Sequence, residues 1–202
     1  MKLYYSRGAC SLAPNIVLHE VGVSFERIKV DPKTKLTEHG IDFHQINPNG
    51  YVPVLELDSG ERLTEAAVIL QYIGDQYPQF GLTPPMGGMA HYRLIEWLNF
   101  ISSEIHKAYS VLFHPETPQE YKTATREKLA LRLAHVERQL AATPYLMGDA
   151  FSVADAYLFV VTNWSRVMMV DLAGFPQLQQ FQSRMAKRPS VQAAMKSEGL
   201  LK

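Results

Sequence analysis

The single cysteine of this 202-residue chain, Cys10, is the side chain with the clearest potential for chemistry. It follows the loop 6–9 and precedes a predicted helix, whose first amides carry partial positive charge. Such a position favours the thiolate over the thiol and is typical of a reactive cysteine. A lone cysteine is also commonly a small buried hydrophobe. Position alone leaves the two interpretations equally open.

A second candidate site begins with the segment 50–57, which combines a glycine, a proline and an apolar run. Pro53 has no N–H to donate to a sheet, so it is predicted at the first residue of a strand. A cis bond between Val52 and Pro53 would turn the backbone groups of Val52 outward, where a ligand could meet them.

The segment that follows predicts a tight turn at 58–60 and then the start of a helix. Thr64 is predicted to be the N-cap, because apolar residues recur at helical spacing after it. The free amides of Glu65 and Ala66 at this helix start would bind an anion. An ordinary hairpin that leads into a helix is the alternative interpretation, and turn and cap residues alone do not exclude it.

Two further polar features have a plain surface alternative. Lys35 lies in a polar connector, where most lysines are simply solvated. A polar face opposite the apolar face of a predicted helix comprises Asn99, Ser103, His106, Lys107 and Ser110. Any amphipathic helix has such a face, but this one carries hydroxyl, amide and imidazole groups, and His106 near a thiolate would handle protons at neutral pH.

The elements that must position these residues begin with a β-type run at 2–5 and a helix that ends at Gly22. A strand at 24–30 completes a βαβ unit. Three prolines and three glycines between residues 78 and 88 then mark a break in composition and predict a linker.

Long helical periods follow the linker. One helix is predicted over 89–113, and a second from Thr117 to 142, with Pro118 in its first turn and Glu120 completing a capping box. Another capping box, Ser152 to Asp155, opens a helix through Met168 that is apolar on nearly all sides and therefore buried.

Two shorter helices are predicted to start at Phe175-Pro176 and Arg188-Pro189, before a polar surface tail. We interpret Asp155 as structural and Trp164 as a core residue, because its neighbours are apolar.

Composition excludes several classes of protein. Twenty basic residues balance twenty acidic ones, so neither a nucleic acid nor an anionic membrane is expected as a partner. A single cysteine excludes an internal disulfide framework and a cysteine-rich zinc site. The amino end is charged too early for a signal peptide, and no apolar run approaches a membrane span. We therefore expect a soluble, cytoplasmic protein.

The order of these motifs resembles the cytosolic glutathione transferases, and the cysteine in the first loop resembles the bacterial beta class. Three motifs carry the resemblance: the Cys10 loop, Val52-Pro53 with Glu65-Ala66, and Ser152 to Asp155. It implies a thioredoxin-like N-terminal domain at 1–78, a linker at 79–88 and an all-helical domain at 89–202. Ser11 stands where a thioredoxin-like protein carries its second cysteine, so an intramolecular disulfide is ruled out.

The resemblance also implies a site. Its catalytic residues would be Cys10, Ser11 and His106, while Tyr5, near the position of the working tyrosine of other relatives, is interpreted as core. The residues placed against glutathione are Ala9, Cys10, Lys35, Tyr51, Val52, Pro53, Glu65, Ala66, Asn99, Ser103, Glu104, Ile105, His106 and Lys107. Lys35 would meet the glycyl carboxylate, and Ala66 replaces the hydroxyl residue of many relatives, leaving its backbone amide. No metal is implied.

The leading hypothesis for function is therefore conjugation of glutathione, as co-substrate, to small and largely apolar electrophiles, a detoxification reaction. Glutathione-dependent thiol–disulfide exchange through Cys10 is the second hypothesis. A family member that only binds ligands or a protein is the third. A homodimer is implied by the resemblance and not by the sequence itself.

Overall fold

The computed structural model of the chain describes residues 1–201 and contains a small sheet followed by helices. The strands are β1 (Lys2–Tyr5), β2 (Glu26–Lys29), β3 (Val54–Glu56) and β4 (Arg62–Thr64). The helices are α1 (Leu12–Val21), α2 (Ala66–Gln76), α3 (Met89–Phe100), α4 (Lys107–Phe113), α5 (Gln119–Ala142), α6 (Val153–Asn163), α7 (Pro176–Ala186) and α8 (Pro189–Ser197). Short 3-10 helices lie at Phe43–Gln45, Pro78–Phe80 and Trp164–Arg166. The predicted class, α/β followed by all-α, is confirmed.

The sheet has the strand order β2-β1-β3-β4. β1 runs parallel to β2 and antiparallel to β3, so that Leu3 lies opposite Arg27 on one side and Leu55 on the other. The parallel pair is joined by α1, which ends where Gly22 adopts a φ of 70°. This arrangement confirms the predicted thioredoxin-like unit, although β2 is shorter than the predicted strand 24–30.

The Val52-Pro53 bond is cis, as predicted, and β3 begins directly after Pro53. The predicted N-cap at Thr64 is wrong. Thr64 is the last residue of β4, and Glu65 precedes α2 with a φ of 65° and no side-chain cap. The strand takes Thr64 because its backbone pairs with Val54 in the hairpin register.

The linker is not a free tether. Leu82 is buried, and its carbonyl accepts a hydrogen bond from the first amide of α6, at Val153 (3.1 Å). Thr83 lies so close to Gly74 that a Cβ at the glycine would overlap the threonine methyl. We propose that the domain limits remain those expected from the sequence, with the anchored connector 79–88 between two units that share one core.

The predicted helix 89–113 is interrupted. Between α3 and α4 the residues Ile101–His106 form a π-helical segment, which inserts one extra residue into a turn. The buried side chains Ile101, Ile105 and Tyr109 follow at intervals of four and still reach the core. The apolar pattern predicts the helix but not its wider turn, because a spacing of four fits both geometries.

The predicted capping box at Thr117 is also wrong. Its Oγ1 donates instead to the carbonyl of Val111 (2.9 Å), and α5 begins one residue after Pro118. The capping box of α6 is confirmed, since the carboxylate of Asp155 accepts hydrogen bonds from both the backbone N (2.8 Å) and the Oγ (2.7 Å) of Ser152.

The core of the molecule is continuous from the sheet to the helices. Every residue from Val153 to Thr162 is buried, which confirms the central position predicted for α6. This helix ends at Asn163, and the chain then turns, so the predicted continuation through Met168 is wrong. α1 contacts α2, α6 and α8, and α7 and α8 begin at the predicted prolines. Within residues 1–201, no helix combines the length and apolarity needed to cross a bilayer.

We predict that Ser152→Ala lowers the free energy of unfolding by about 1–2 kcal/mol, because Asp155 is fully buried and loses a donor. Urea unfolding measures the change. Thr123→Ala is the control, because this exposed hydroxyl donates only to the Gln119 carbonyl of its own helix. Its removal should lower the free energy of unfolding by less than about 0.5 kcal/mol. Equal losses in the two variants would contradict a special role for the α6 cap.

Candidate active site between the sheet and the helices

A cleft of about 710 Å³ lies between the sheet-side loops and the helical half of the chain. The sheet side contributes Ser6, Arg7, Gly8, Ala9, Cys10, Val30, Pro32, Lys35, Asn47, Asn49, Gly50, Tyr51, Val52, Pro53, Thr64, Glu65 and Ala66. The helical side contributes Ser102, His106, Lys107, Ser110, Phe113, Tyr157 and Trp164. A volume of this size is ample for a peptide-sized ligand with a second small molecule.

Cys10 lies at the base of the cleft, in the loop that ends β1, and is only 8% exposed. Its Sγ donates a hydrogen bond to the carbonyl of Val52 (3.4 Å). Burial raises the pKa of the Cys10 thiol to about 12, although the amides of Cys10 and Ser11 pull in the opposite direction. The expectation of a favoured thiolate is therefore wrong, because loss of solvation outweighs the helix-end amides.

Ser11, predicted to be catalytic, is fully buried and does not line the cleft. Its Oγ donates to the carbonyl of Ser6 and accepts from the amide of Ser6, both at 3.2 Å. The side chain therefore closes the Cys10 loop on itself and holds Cys10 in place, and it has no access to a ligand in this cleft.

The sheet side brings together most of the residues predicted to bind glutathione. Lys35 adopts a φ of 58°, and its Nζ donates to the Gly50 carbonyl (2.9 Å) and lies 5.6 Å from the centre of the Tyr51 ring. Tyr51 itself is 71% exposed at the mouth of the cleft. A lysine held beside a carbonyl and a ring keeps donors available for an anionic ligand.

The start of α2 faces the same space, where Glu65 and Ala66 line the cleft beside Val52 and Pro53. No side chain caps this helix end, so its first amides are available to an anion. The carboxylate of Glu65 adds a negative charge close to those amides, which suits a ligand that carries an ammonium group next to a carboxylate.

On the helical side, His106 is held by two aromatic residues. Its Nδ1 is 2.7 Å from the hydroxyl of Tyr157, and its ring lies 5.1 Å from that of Trp164. Burial lowers the pKa of His106 to about 4, with a smaller contribution from the charge of Lys107. The imidazole is therefore neutral at pH 7, which does not support the expected role of His106 as a group that takes up and releases protons at that pH.

Four other residues predicted to bind glutathione from this helical region do not line the cleft. Asn99 and Ser103 are exposed on its outer side, where the Ser103 Oγ donates to the Asn99 carbonyl (2.9 Å). Glu104 accepts a hydrogen bond from Arg132 (2.6 Å), and Ile105 is fully buried in the core. Of the polar-face residues, His106, Lys107 and Ser110 line the cleft of their own chain.

The sequence also placed Trp164 in the core, whereas the structure leaves it half-buried in the wall of the cleft. The turn after α6 moves it there, and its Nε1 donates to the carbonyl of Gly8 (2.8 Å). Tyr157 and Phe113 were not predicted from the sequence as residues of the site. Their apolar neighbours predict burial, and nothing in their spacing distinguishes a cleft wall from a core.

Glu198, expected in a surface tail, is instead 6% exposed and supports the Cys10 loop. Its carboxylate accepts hydrogen bonds from the amide of Gly8 and from the side-chain amide of Asn15, both at 2.9 Å. Burial raises the pKa of Glu198 despite these donors. The carboxyl-terminal residues therefore fix the loop that carries the cysteine. Among residues 1–201, no cluster of three or more His, Cys, Asp or Glu side chains could hold a metal ion.

Comparison with known proteins identifies relatives over the whole chain. The family models for the glutathione S-transferase N-terminal and C-terminal domains match residues 1–75 and 100–189. The glutathione S-transferase GstA of Escherichia coli O157:H7 is 44% identical over 200 residues, covering 99% of this chain and 100% of the relative.

Two solved structures are similarly close. A sphingomonad glutathione S-transferase complexed with glutathione is 48% identical with a TM-score of 0.95, covering 100% of both chains. The bacterial beta class glutathione S-transferase of Sphingomonas chungbukensis is 46% identical with a TM-score of 0.96, again over 100% of both chains. These findings confirm the resemblance inferred from the three motifs.

We predict that Glu198→Ala loosens the Cys10 loop, because the buried donors of Gly8 and Asn15 lose their acceptor. A loss of roughly 1–3 kcal/mol of local stability should raise the rate of Cys10 alkylation by iodoacetamide at alkaline pH about fivefold or more.

The matched control is Glu20→Ala. Glu20 pairs with Arg188 across the same interface between α1 and α8, but it does not contact the loop. Both variants should unfold at lower urea concentrations than the wild type, and only Glu198→Ala should expose the thiol. Equal acceleration in both would mean that α8 docking in general, and not the Glu198 contact, protects Cys10.

Proposed function

Because the chain belongs to the glutathione S-transferase family and is a transferase, we propose that this cleft joins the thiol of glutathione to small, largely apolar electrophiles. The observation that carries the proposal is the meeting of the Cys10 loop, Val52-Pro53 and the start of α2 in one cleft with His106. These elements are far apart in the sequence, and each supplies a different part of the chemistry that glutathione requires.

The donor set of the sheet side fits the charges of glutathione. Lys35 suits the glycyl carboxylate, and the free amides at Glu65 and Ala66 suit the γ-glutamyl carboxylate. The Glu65 carboxylate suits the α-ammonium group. The backbone of Val52 lies between these two ends, where it can pair with the cysteinyl backbone. No side chain is required for that middle contact, so it tolerates changes at Val52.

We propose that the glutathione thiolate, and not Cys10, is the nucleophile, with His106 as its hydrogen-bond donor. Burial raises the pKa of Tyr157, so its hydroxyl stays protonated and, in the tautomer that we propose, donates to Nδ1 of His106. The remaining nitrogen, Nε2, then carries the ring proton and can donate to a thiolate in the cleft. This role needs a neutral imidazole, which the lowered pKa of His106 provides.

Thiol–disulfide exchange through Cys10 receives less support. Attack on a disulfide requires a thiolate, and burial keeps the Cys10 thiol protonated at neutral pH. Its hydrogen bond to the Val52 carbonyl instead favours a positioning role for the thiol. A purely ligand-binding function would need none of the proton-handling contacts around His106, so their presence favours an enzyme.

The active form is proposed to be a homodimer. Tyr92, Asn99 and Ser103 recur along one exposed face at helical spacing, and Tyr92 is 58% exposed. Met89, three residues before Tyr92, extends this face as a further exposed apolar side chain. A second subunit docked here would cover the apolar residues and carry Asn99 and Ser103 toward its partner's cleft. We propose a cytoplasmic location for this dimer, in keeping with a single reduced cysteine.

The first prediction for this function concerns Cys10→Ala. Conjugation of 1-chloro-2,4-dinitrobenzene should persist within about tenfold in kcat/KM, because a protonated thiol is not the nucleophile. Any reduction of hydroxyethyl disulfide by glutathione should disappear. Cys10→Ser should recover the conjugation lost, because its hydroxyl can donate to Val52.

Those three measurements separate the hypotheses. Loss of conjugation by a folded Cys10→Ala protein, with Cys10→Ser equally inactive, would make the thiol itself essential to transfer. Persistence of the reductase activity without Cys10 would remove this cysteine from exchange chemistry altogether.

The second prediction concerns assembly. Tyr92→Glu should convert the dimer to a monomer in light scattering and weaken glutathione binding, because a charge buried at an interface is costly. Tyr121→Glu is the control, since Tyr121 is also 58% exposed but lies on α5. A wild type that is monomeric, or a Tyr92→Glu variant that remains dimeric, would refute the proposed interface.

A further inference from the structure

The cleft carries more cationic than anionic side chains. Lys107 lines its helical side, and Arg7 lines it from the loop whose Gly8 carbonyl is bonded to Trp164. Both side chains are exposed. Within residues 1–201, Glu65 is the one acidic residue lining the cleft, and it lies on the sheet side at the start of α2.

Glutathione accounts for only part of this charge. In the proposed binding mode, Lys35 and the α2 amides meet its two carboxylates, Glu65 meets its ammonium group, and Lys107 is expected to assist. Arg7 has no counterpart in glutathione. A cation that faces a cleft and is not used by one substrate is available to the other.

Arg7 is held at the cleft while keeping most of its donors. One guanidinium nitrogen, Nη2, donates to the carbonyl of Gly199, and a guanidinium offers five N–H groups in all. The buried Glu198 carboxylate attracts both Arg27 and Arg7, but its hydrogen bonds go to Gly8 and Asn15 and not to the Arg7 guanidinium. The guanidinium therefore keeps N–H donors for a ligand in the cleft.

Next to these cations the wall is aromatic. The rings of Phe113 and Trp164 meet edge to face with centroids 5.3 Å apart, and Phe113 is 46% exposed. A flat aromatic ligand packs well against such a pair, which offers one ring face and one ring edge. An aromatic surface bordered by a guanidinium with free N–H donors is complementary to an arene that carries an anion.

We propose that this enzyme prefers aromatic electrophiles bearing a carboxylate, with the ring on Phe113 and Trp164 and the carboxylate at Arg7. The preference rests on the proposed conjugation and makes it more specific than transfer to apolar electrophiles in general. For an aryl chloride, the glutathione sulfur forms a bond to the ring carbon and the carbon–chlorine bond breaks. Chloride leaves with the bonding pair, the thiol proton passes to water, and no oxidant or reductant is needed.

The test compares two substrates that differ in charge, 4-chloro-3,5-dinitrobenzoate and its methyl ester. For each, kcat/KM is divided by the uncatalysed rate constant with glutathione, and the acid-to-ester ratio of these values is the readout. Because the contact is open to water, Arg7→Gln should lower the ratio about three- to fivefold at low ionic strength. About 0.5 M NaCl should reduce the wild-type ratio in the same direction.

Two further variants isolate the charge. Arg7→Lys keeps the charge and should recover most of the ratio. Arg27→Gln is the matched control, because Arg27 also ties the carboxyl-terminal residues through the Ser197 carbonyl (2.5 Å) but does not line the cleft. Its acid-to-ester ratio should equal that of the wild type.

The outcomes distinguish the carboxylate preference from the proposed transferase function. If neither electrophile is conjugated, the proposed transferase reaction fails. If both are conjugated with a ratio that Arg7→Gln and salt leave unchanged, the carboxylate preference fails and the transferase function stands. If the acid-to-ester ratio falls equally in Arg27→Gln, the effect comes from the contact with the carboxyl-terminal residues and not from charge in the cleft. That result would also overturn the proposal.

Discussion

The backbone of Gly8 is the point on which the site depends. Its N–H donates to Glu198 and its carbonyl accepts from Trp164, and both partners come from the helical half of the chain. Two residues later, Cys10 bonds to the Val52 carbonyl on the sheet side. One short loop is therefore held by contacts with three segments that lie far from it in the sequence. The cleft exists only when the two halves are docked.

Burial decides the chemistry of the groups that this docking encloses. The helix-end amides act on Cys10 as expected from its position, but desolvation has the larger effect and raises the pKa of the thiol. The same cause lowers the pKa of His106. A neutral thiol and a neutral imidazole make a poor pair for disulfide exchange. They make a suitable environment for a thiolate that enters with a substrate, since the imidazole can donate to it.

The two sides of the cleft have different tasks. Backbone groups and a helix end dominate the sheet side, and such groups recognise one constant molecule with little dependence on side chains. The helical wall consists of side chains, including Lys107, Phe113 and Trp164, which a modest number of substitutions could change. This division explains how a fixed co-substrate and a variable acceptor can share one cleft. The proposed role of Arg7 in selecting the acceptor fits this division, because Arg7 lines the cleft beside the aromatic residues of the helical side.

The sequence by itself determined the elements and the family. A glycine predicted the end of α1, prolines predicted the starts of α7 and α8, and the Ser152 to Asp155 cap predicted the start of the buried helix α6. These signals can be read from sequence because each acts over a few neighbouring residues. It failed where local signals competed with pairing, as at Thr64, which joins β4, and at Thr117, whose hydroxyl bonds to Val111. Tertiary structure alone decided the pKa of Cys10, the exposure of Trp164 and the burial of Glu198. Desolvation and contacts between residues nearly two hundred positions apart have no local signature, so they arise only when the helical half closes over the sheet.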